Sequence, residues 1–256
     1  MKPKIIDLQT NPNLLPCARE GHVSVIEGAR DQAIKDLSDL LQKNLLRGRV
    51  LIDSEDVSQG LILYGLVEES LCNLTGKDIL NIFCLEVKSP ERGHNYGEEL
   101  IHSALKDYPE NKIQGISTSS YGEFWMSERY FQGLGFHIFR QDGLLTHLFK
   151  PLVEDATPPS LIKLNLPPYD SSIVVDHFKG PTYCPFGKSF ELRILSIIKD
   201  FVDVPLREHI IQSREDVLKF GTTPARIFIN GTEPSDDPTL SDSELKEQIQ
   251  LLLSRK

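Results

Sequence analysis

Long apolar runs are missing from this sequence. Nowhere do its 256 residues sustain the roughly 18 consecutive apolar positions that a membrane span needs. Metal-ligand spacing is missing as well. The four cysteines, Cys17, Cys72, Cys84 and Cys184, are scattered, with no paired set of the kind that holds structural zinc. That scatter suits reduced thiols better than a disulfide framework. Positive charge is in short supply: 28 Lys and Arg against 37 Asp and Glu leave a formal charge of -9. A nucleic-acid surface needs clustered basic side chains, and none is evident. The start of the chain, Met1 to Asp7, carries charges where a signal peptide would need its apolar core. The expectation is a cytoplasmic protein with no metal, no nucleic-acid partner and no membrane partner.

What remains is the composition of an ordinary globular chain, 39% hydrophobic and 25% charged, long enough for one large or two modest domains. Lys4 to His22, with Pro12 and Pro16, suits a mixture of strand and loop. From Val23 to Leu46 apolar residues recur at helical spacing: Ile26, Ala29, Ala33, Ile34, Leu37, Leu40, Leu41, Leu45. Arg49 to Ile52 and Gly60 to Val67 are expected strands; the second is apolar on both faces, which suits the middle of a sheet. Ile79 to Val87 is a third, entered through a turn at Asn73 to Lys77. A helix then carries Leu100, Ile101, Ala104 and Leu105. Ile113 to Ser117 is a short strand, and Ser127 to Leu134 a helix stopped by Gly135. Phe136 to Phe139 and Leu144 to Phe149 form a hairpin across Asp142-Gly143.

Pro151, Pro158, Pro159, Pro167 and Pro168 then forbid continuous helix or ladder, so 151–170 is expected to be a semi-rigid linker. A second α/β unit follows. Ser172 to Phe178 is a strand, and the turn Gly180 to Gly187 leads into a helix through Ile198. Val204 to Ile211 is strand-like, Glu215 to Phe220 a short helix, and Arg226 to Ile229 a strand turned by Asn230-Gly231. The last helix starts near Ser241, an N-cap with Glu244 three residues on.

The stretch from Ile79 to Leu105 organises the first unit. A strand that feeds a glycine-bearing turn and then a helix N-terminus can hold an anion, because the first-turn N–H groups lack intrahelical partners. Its turn, Val87-Lys-Ser-Pro-Glu-Arg-Gly-His-Asn-Tyr-Gly97, resembles the acetyl-CoA loop of GNAT-family N-acetyltransferases. Asn95 replaces the family's middle glycine, and Asn tolerates a left-handed backbone well. Tyr130-Phe-Gln-Gly-Leu-Gly-Phe136 resembles the family's second hallmark, and the likeness covers Val23 to Pro151. It implies a splayed mixed sheet flanked by helices, with acetyl-CoA as co-substrate. The strand carrying Leu85 and Val87 would part from the next one, and the pantetheine arm would lie in the gap. Arg92, Gly93, His94, Asn95, Tyr96 and Gly97 would form the pyrophosphate cradle, with His94 a loop residue rather than a catalyst. Glu98 and Glu99 suit the helix dipole but lie close to the same anion.

Acetyl transfer needs a base for the amine and an acid for the leaving thiolate. Glu86 is the candidate base, directly or through water; its other reading is an edge or salt-bridged carboxylate. The resembling enzymes' thiolate-protonating Tyr falls at Phe131. Tyr130 is the adjacent candidate acid, about 100° round the helix, and Ser127 a weaker one.

In the second unit, Tyr183-Cys-Pro-Phe-Gly187 at a helix start and Thr222-Thr-Pro-Ala225 before a strand resemble the thioredoxin fold. Cys184 would be the helix-end thiol, Pro185 would occupy the first turn, and Pro224 would be a cis-proline. Gly187 stands where a second cysteine would be, which argues against dithiol chemistry. The order of units resembles the YoaP-type acetyltransferase architecture: residues 1–150 the acyl-CoA-binding domain, 151–170 the linker, 171–256 the thioredoxin-like domain. The expectation is therefore an α/β protein that moves an acetyl group from acetyl-CoA to an amine of a small molecule or a protein. Its acidic balance would suit a cationic acceptor such as a polyamine, an aminoglycoside or a Lys side chain. The alternatives are an acyl-CoA-binding or regulatory module whose catalysis has lapsed, and a monothiol redox protein using Cys184. A homodimer stays open.

Overall fold

A computed structural model describes residues 3–10, 26, 28–122, 125–168, 173–201, 204–235 and 237–254. The chain divides into two compact units. The first comprises residues 1–18, 40–70 and 74–160; the second comprises residues 19–39, 71–73 and 161–256.

In chain order the elements up to the linker are β1 (Lys4–Asp7), α1 (Ala29–Gln42), β2 (Arg47–Ile52), β3 (Ser58–Leu66), β4 (Leu74–Thr75), β5 (Ile79–Val87), α2 (Tyr96–Leu105), β6 (Gly115–Ser120), α3 (Glu128–Gly133), β7 (His137–Asp142) and β8 (Leu145–Pro151). Residues 11–25 and 27, where part of the first expected helix and Cys17 fall, lie outside the described residues. Within the rest, α1 is shorter than its apolar spacing, because Gly28 before it and Asn44 after it take left-handed φ of 81° and 54°. The β7–β8 loop follows the same logic: Gly143 sits at its first position with φ 56°.

Unit 1 is built on a seven-stranded sheet in the order β1-β2-β3-β5-β6-β8-β7. It is a mixed sheet: β5–β6 is parallel, and every other pair is antiparallel. Apolar on both faces, β3 lies inside the sheet and is buried from Gly60 to Leu66. Leu51, Ile62, Tyr64, Leu80, Ile82, Ile116 and Leu148 send one face of the sheet into a core with Leu100, Ile101 and Ala104 of α2 and Phe131 of α3.

A polar network ties the far end of α2 to the sheet. Asp107, just past the helix, accepts from Arg49 and from the Tyr64 hydroxyl. Arg49 also bonds Asp7 of β1 at 3.0 Å. Beside this network the Tyr108 hydroxyl is buried with no hydrogen-bond partner among the described residues, under the Arg47 guanidinium 5.1 Å from its ring centroid.

In the second unit, after β9 (Ser160–Leu161), come β10 (Val175–Lys179), α4 (Pro185–Lys199), β11 (Leu206–Ile210), α5 (Arg214–Phe220), β12 (Arg226–Ile229) and α6 (Asp242–Ser254). Of the expected linker, Tyr169 and Asp170 lie outside the described residues, as does Ser172 of the expected strand. The sheet order is β11-β10-β12, with β10 parallel to β11 and antiparallel to β12. Being central, β10 is buried on both faces. Val175 joins the core formed with Ile194, Ile197 and Ile198 of α4 and Leu245, Ile249, Leu252 and Leu253 of α6. On the other face Phe178 packs against Phe220 of α5, Phe228 and His209.

The residues between these two, Asp176 and His177, are polar. His177 Nε2 lies 2.7 Å from Glu191 of α4, which also accepts from Lys188 at 2.7 Å. Burial alone would push the Glu191 carboxyl up, but those two bonds outweigh it and hold it below the usual range. Asp176, fully buried, receives a two-pronged Arg207 and His209. The last helix starts as its residues predict, and α5 starts one residue before the expected Glu215, on a cap not foreseen in the sequence. Ser213 and Asp216 form a reciprocal capping box on α5, and Ser241 and Glu244 cap α6 the same way.

Burial raises the Tyr108 pKa to about 12. A tyrosine raised in the folded state contributes stability that is full below the unfolded value of about 10 and lost as pH climbs through the folded one. Tyr108→Phe removes that dependence together with an unbonded hydroxyl. The variant is expected to match or exceed wild-type stability by up to about 1 kcal/mol at neutral pH. Its urea midpoint should fall less steeply between pH 10 and 12.

Candidate active site

The sheet opens along β5. Its antiparallel ladder with β3 runs the whole length, from Leu66 opposite Leu80 to Gly60 opposite Val87. Its parallel ladder with β6 stops at Ile82 opposite Thr118. A bulge at Phe83 shifts the β3–β5 register at that point, so Cys84 faces Leu63 while Ile82 faces Tyr64. Bulges of this kind bend and overtwist a strand. Beyond it the two strands part, and β3 is the sole described strand laddered to β5. Thr118 closes the vertex by donating its hydroxyl to Ile82 O at 3.1 Å.

Leu85 and Val87 pack toward the core beneath α2 and α3. Strand alternation therefore sends Glu86, which lies between them, to the opposite face.

The chain leaves β5 through a short 3-10 turn (Ser89–Glu91) and bends back. Arg92 Nε donates to Val87 O at 3.0 Å, so its guanidinium stays at the strand end, exposed. Gly93 and Asn95 are both left-handed, with φ 86° and 64°. Asn95 therefore occupies the backbone region that its side chain tolerates, and the loop keeps its turn without a glycine there.

The α2 ladder starts with Glu99 N–H donating to Asn95 O at 3.1 Å. By helix geometry the preceding amides point out of the N-terminal end with no intrahelical acceptor. Asn95 Nδ2 donates to the Glu98 carboxylate at 2.8 Å. His94 stacks on Tyr96, with ring centroids 5.7 Å apart, and its Nδ1 lies 3.3 Å from Glu91 O.

The neighbouring tyrosine and phenylalanine of α3 separate cleanly. Phe131 is fully buried, edge-on to Phe136 at 5.1 Å. Tyr130, one residue back, is 41% exposed and reaches the start of α2. Its hydroxyl lies where a Cβ on Gly97 would be, so any side chain there would have to displace the phenol. Burial raises the Tyr130 pKa, and the Glu98 charge adds to the effect. Tyr130 thus keeps its proton at neutral pH.

The structure brings Tyr130 together with the 92–97 turn and sets Glu86 on the other face of β5. Ser119 and His147, unsuspected from the sequence, share that second face. They are direct partners across β6 and β8, with Ser119 Oγ 2.9 Å from His147 Nδ1. Their signal in the sequence is the polar run Ser117-Thr-Ser-Ser120 in an apolar sheet.

In unit 2, Cys184 is the N-cap of α4. Its Sγ accepts from Gly187 N at 3.5 Å, and Pro185 occupies the first turn. Its own N–H donates to Thr182 Oγ1 at 3.5 Å. Pro224 abuts Gly180, at the entry to the same turn. The cis geometry expected of Pro224 is not found, since every described peptide bond is trans. The left-handed residue at this corner is Ala225 instead, with φ 61°, whose N–H donates to Phe178 O at 2.8 Å and turns the chain into β12. Among the described residues no group of three His, Cys, Asp or Glu side chains is placed to hold a metal ion.

Gly97→Ala adds a methyl where the Tyr130 hydroxyl sits, and the phenol must swing out. The Tyr130 pKa is then expected to return toward 10, read as a difference ultraviolet titration against a Tyr130→Phe control. An unchanged titration would contradict the packing described.

Solved acetyltransferase structures align with part of this chain. One is PaiA N-acetyltransferase from Thermoplasma acidophilum in complex with coenzyme A, at 13% identity and a TM-score of 0.44, covering 59% of this chain and 99% of that one. Another is the GNAT family N-acetyltransferase YhbS from Escherichia coli in complex with CoA, at 17% identity and a TM-score of 0.42, covering 60% and 84%. An acetyltransferase from Thermus thermophilus aligns at 14% identity and a TM-score of 0.43, covering 59% and 98%. No family model matches the chain, and no curated protein matches it.

Proposed function

We propose that unit 1 binds acetyl-CoA and transfers its acetyl group to an amine by direct attack. The observation that carries this reading is the coincidence of two features at one end of β5. The strand loses its β6 partner after Ile82, and the left-handed turn it feeds delivers the open amides of α2. An extended acyl-pantetheine arm suits a gap between parting strands, since it can bond to main-chain groups as a strand would. A diphosphate suits the tip of α2, where oriented amides and the helix dipole favour negative charge. This combination resembles the donor site of GNAT-family enzymes, and Arg92 to Gly97 supply its turn.

Leu85 and Val87 would line the arm through their main chain, and Arg92 would add charge to the diphosphate. Glu86, on the far face, would accept a proton from the acceptor nitrogen, directly or through water. Tyr130 holds its proton at neutral pH and would return one to the CoA thiolate, in place of the buried Phe131. Calorimetry with acetyl-CoA is expected to give micromolar binding. Arg92→Ala should weaken it about 10- to 100-fold, the loss of a charge-assisted contact of about 1.5–3 kcal/mol. Free-thiol release over a panel of amines then tests turnover. Micromolar binding with no turnover on any amine would favour a lapsed, acyl-CoA-binding module, and absent binding would sink both readings.

A second reading concerns unit 2, and the setting of Cys184 favours it. The sheet order with its one antiparallel strand, together with a cysteine as the cap of α4, resembles part of the thioredoxin fold. A thiol that accepts from the first turn of a helix has its thiolate favoured. Cys184 is expected to titrate below the ordinary 8.5 or so, followed as the pH dependence of iodoacetamide alkylation against Cys184→Ser. A value at or above 8.5 would leave the cysteine a structural cap.

A further inference from the structure

On the face of the sheet that strand alternation gives Glu86 lies a pair of side chains that the acetyl-transfer reading leaves idle. Ser119 follows Thr118, the last residue of β6 to pair with β5, so it is the first residue past the vertex on that side. Ile116 and Leu148 belong to the core beneath α2 and α3. Alternation along β6 and β8 therefore places Ser119 and His147 on the opposite face, which is the face of Glu86. The tip of α2 belongs to the helical side, so a donor seated there leaves this second face to the acceptor.

Within the pair the roles differ. Ser119 keeps partial exposure, while His147 is 2% exposed. Ser119 Oγ lies 2.9 Å from His147 Nδ1, close enough for the hydroxyl to donate to the ring. On β7, Arg140 is the register partner of His147, Asp142 lies two residues on, and the Phe139 ring centroid is 5.9 Å from the imidazole. Burial pushes the His147 pKa down; Asp142 opposes that push and Arg140 adds to it. The neutral ring is thus favoured at pH 7, and in its Nε2–H tautomer Nδ1 accepts.

We propose that Ser119, with His147 behind it as the positioning residue, takes the first proton from the acceptor ammonium in the transfer proposed above, a reading on which this assignment rests. The N–H bond of the ammonium breaks, and its proton goes to Ser119 Oγ as the Ser119 proton passes to His147 Nδ1. The neutral amine then attacks the thioester, a C–N bond forms and the C–S bond breaks. The second proton on nitrogen goes to Glu86, and the thiolate takes one from Tyr130. His147 and Glu86 then release their protons to solvent, and Tyr130 recovers one. The sum is one ammonium and one acetyl-CoA converted to one amide, one CoA thiol and one released proton.

The test uses the full chain, acetyl-CoA, and spermidine and a short lysine peptide as probe amines. Calorimetry measures donor binding, and thiol release measures kcat and kcat/KM from pH 5 to 9. Ser119→Ala is expected to bind acetyl-CoA as wild type does and to lose about 100-fold in kcat, the scale of general-base catalysis. Its kcat/KM profile should also lose an acid-side inflection that lies below 6.5 in wild type. His147→Gln should lose the same inflection. Imidazole nitrogen NMR on wild type should assign that inflection to His147, present at pH 7 as the Nε2–H tautomer.

Ser119→Ala with wild-type kcat and an intact inflection would overturn this assignment alone. Bound acetyl-CoA without turnover of either amine would overturn it too, as would a His147 that is imidazolium at pH 7. Absence of donor binding in wild type would remove the acetyl-CoA reading itself, and this assignment with it.

Discussion

Unit 1 depends on a strand that is asked to be central and edge-like at once. The first half of β5 is laddered to β3 on one side and to β6 on the other; among the described strands, its second half is laddered to β3. A strand end with one open side is normally an invitation to mispairing. Here it is contained. The bulge at Phe83 twists it away, Thr118 closes the vertex, and Arg92 returns to the last carbonyl of the strand at Val87. The turn that follows then delivers the chain to the N-terminus of α2.

The turn is useful only if α2 keeps its place, and two unlike contacts see to that. At the C-terminal end Asp107 gathers Arg49 and Tyr64, tying the helix to β2 and β3 through charge and hydrogen bonds. At the N-terminal end the contact is steric. The bare Gly97 backbone admits the Tyr130 hydroxyl, so α3 rests on the first turn of α2. Between these ends Leu100, Ile101 and Ala104 supply ordinary apolar burial. Position is set by the ends, and adhesion by the middle.

Much of this was legible in the residues because it is local. The two-sided apolar run of β3 marked a central strand, and Asn95 marked a left-handed turn. Ser241 with Glu244 marked a helix start, and each behaves as its chemistry requires. What was not legible depends on partners distant in sequence. Nothing local tells which of Tyr130 and Phe131 turns inward; the core decides, taking the ring with no hydroxyl to satisfy. Ser119 meets His147 only because β6 and β8 pair in one particular register, 28 residues apart. The cis bond expected at Pro224 fails for a related reason. The turn into β12 finds its left-handed residue one place later, at Ala225, and needs no unusual peptide.

The alternation along β10 carries a consequence for how unit 2 assembles. Asp176 sends its carboxylate to Arg207 and His209 on one face, and His177 sends its ring to Glu191 on the other. A slip of one residue would turn both side chains to the opposite face and part each from its partners. Buried charges stripped of their partners cost far more than a misplaced valine does. The two adjacent polar residues act as a key cut on both edges, which enters the fold in one position only.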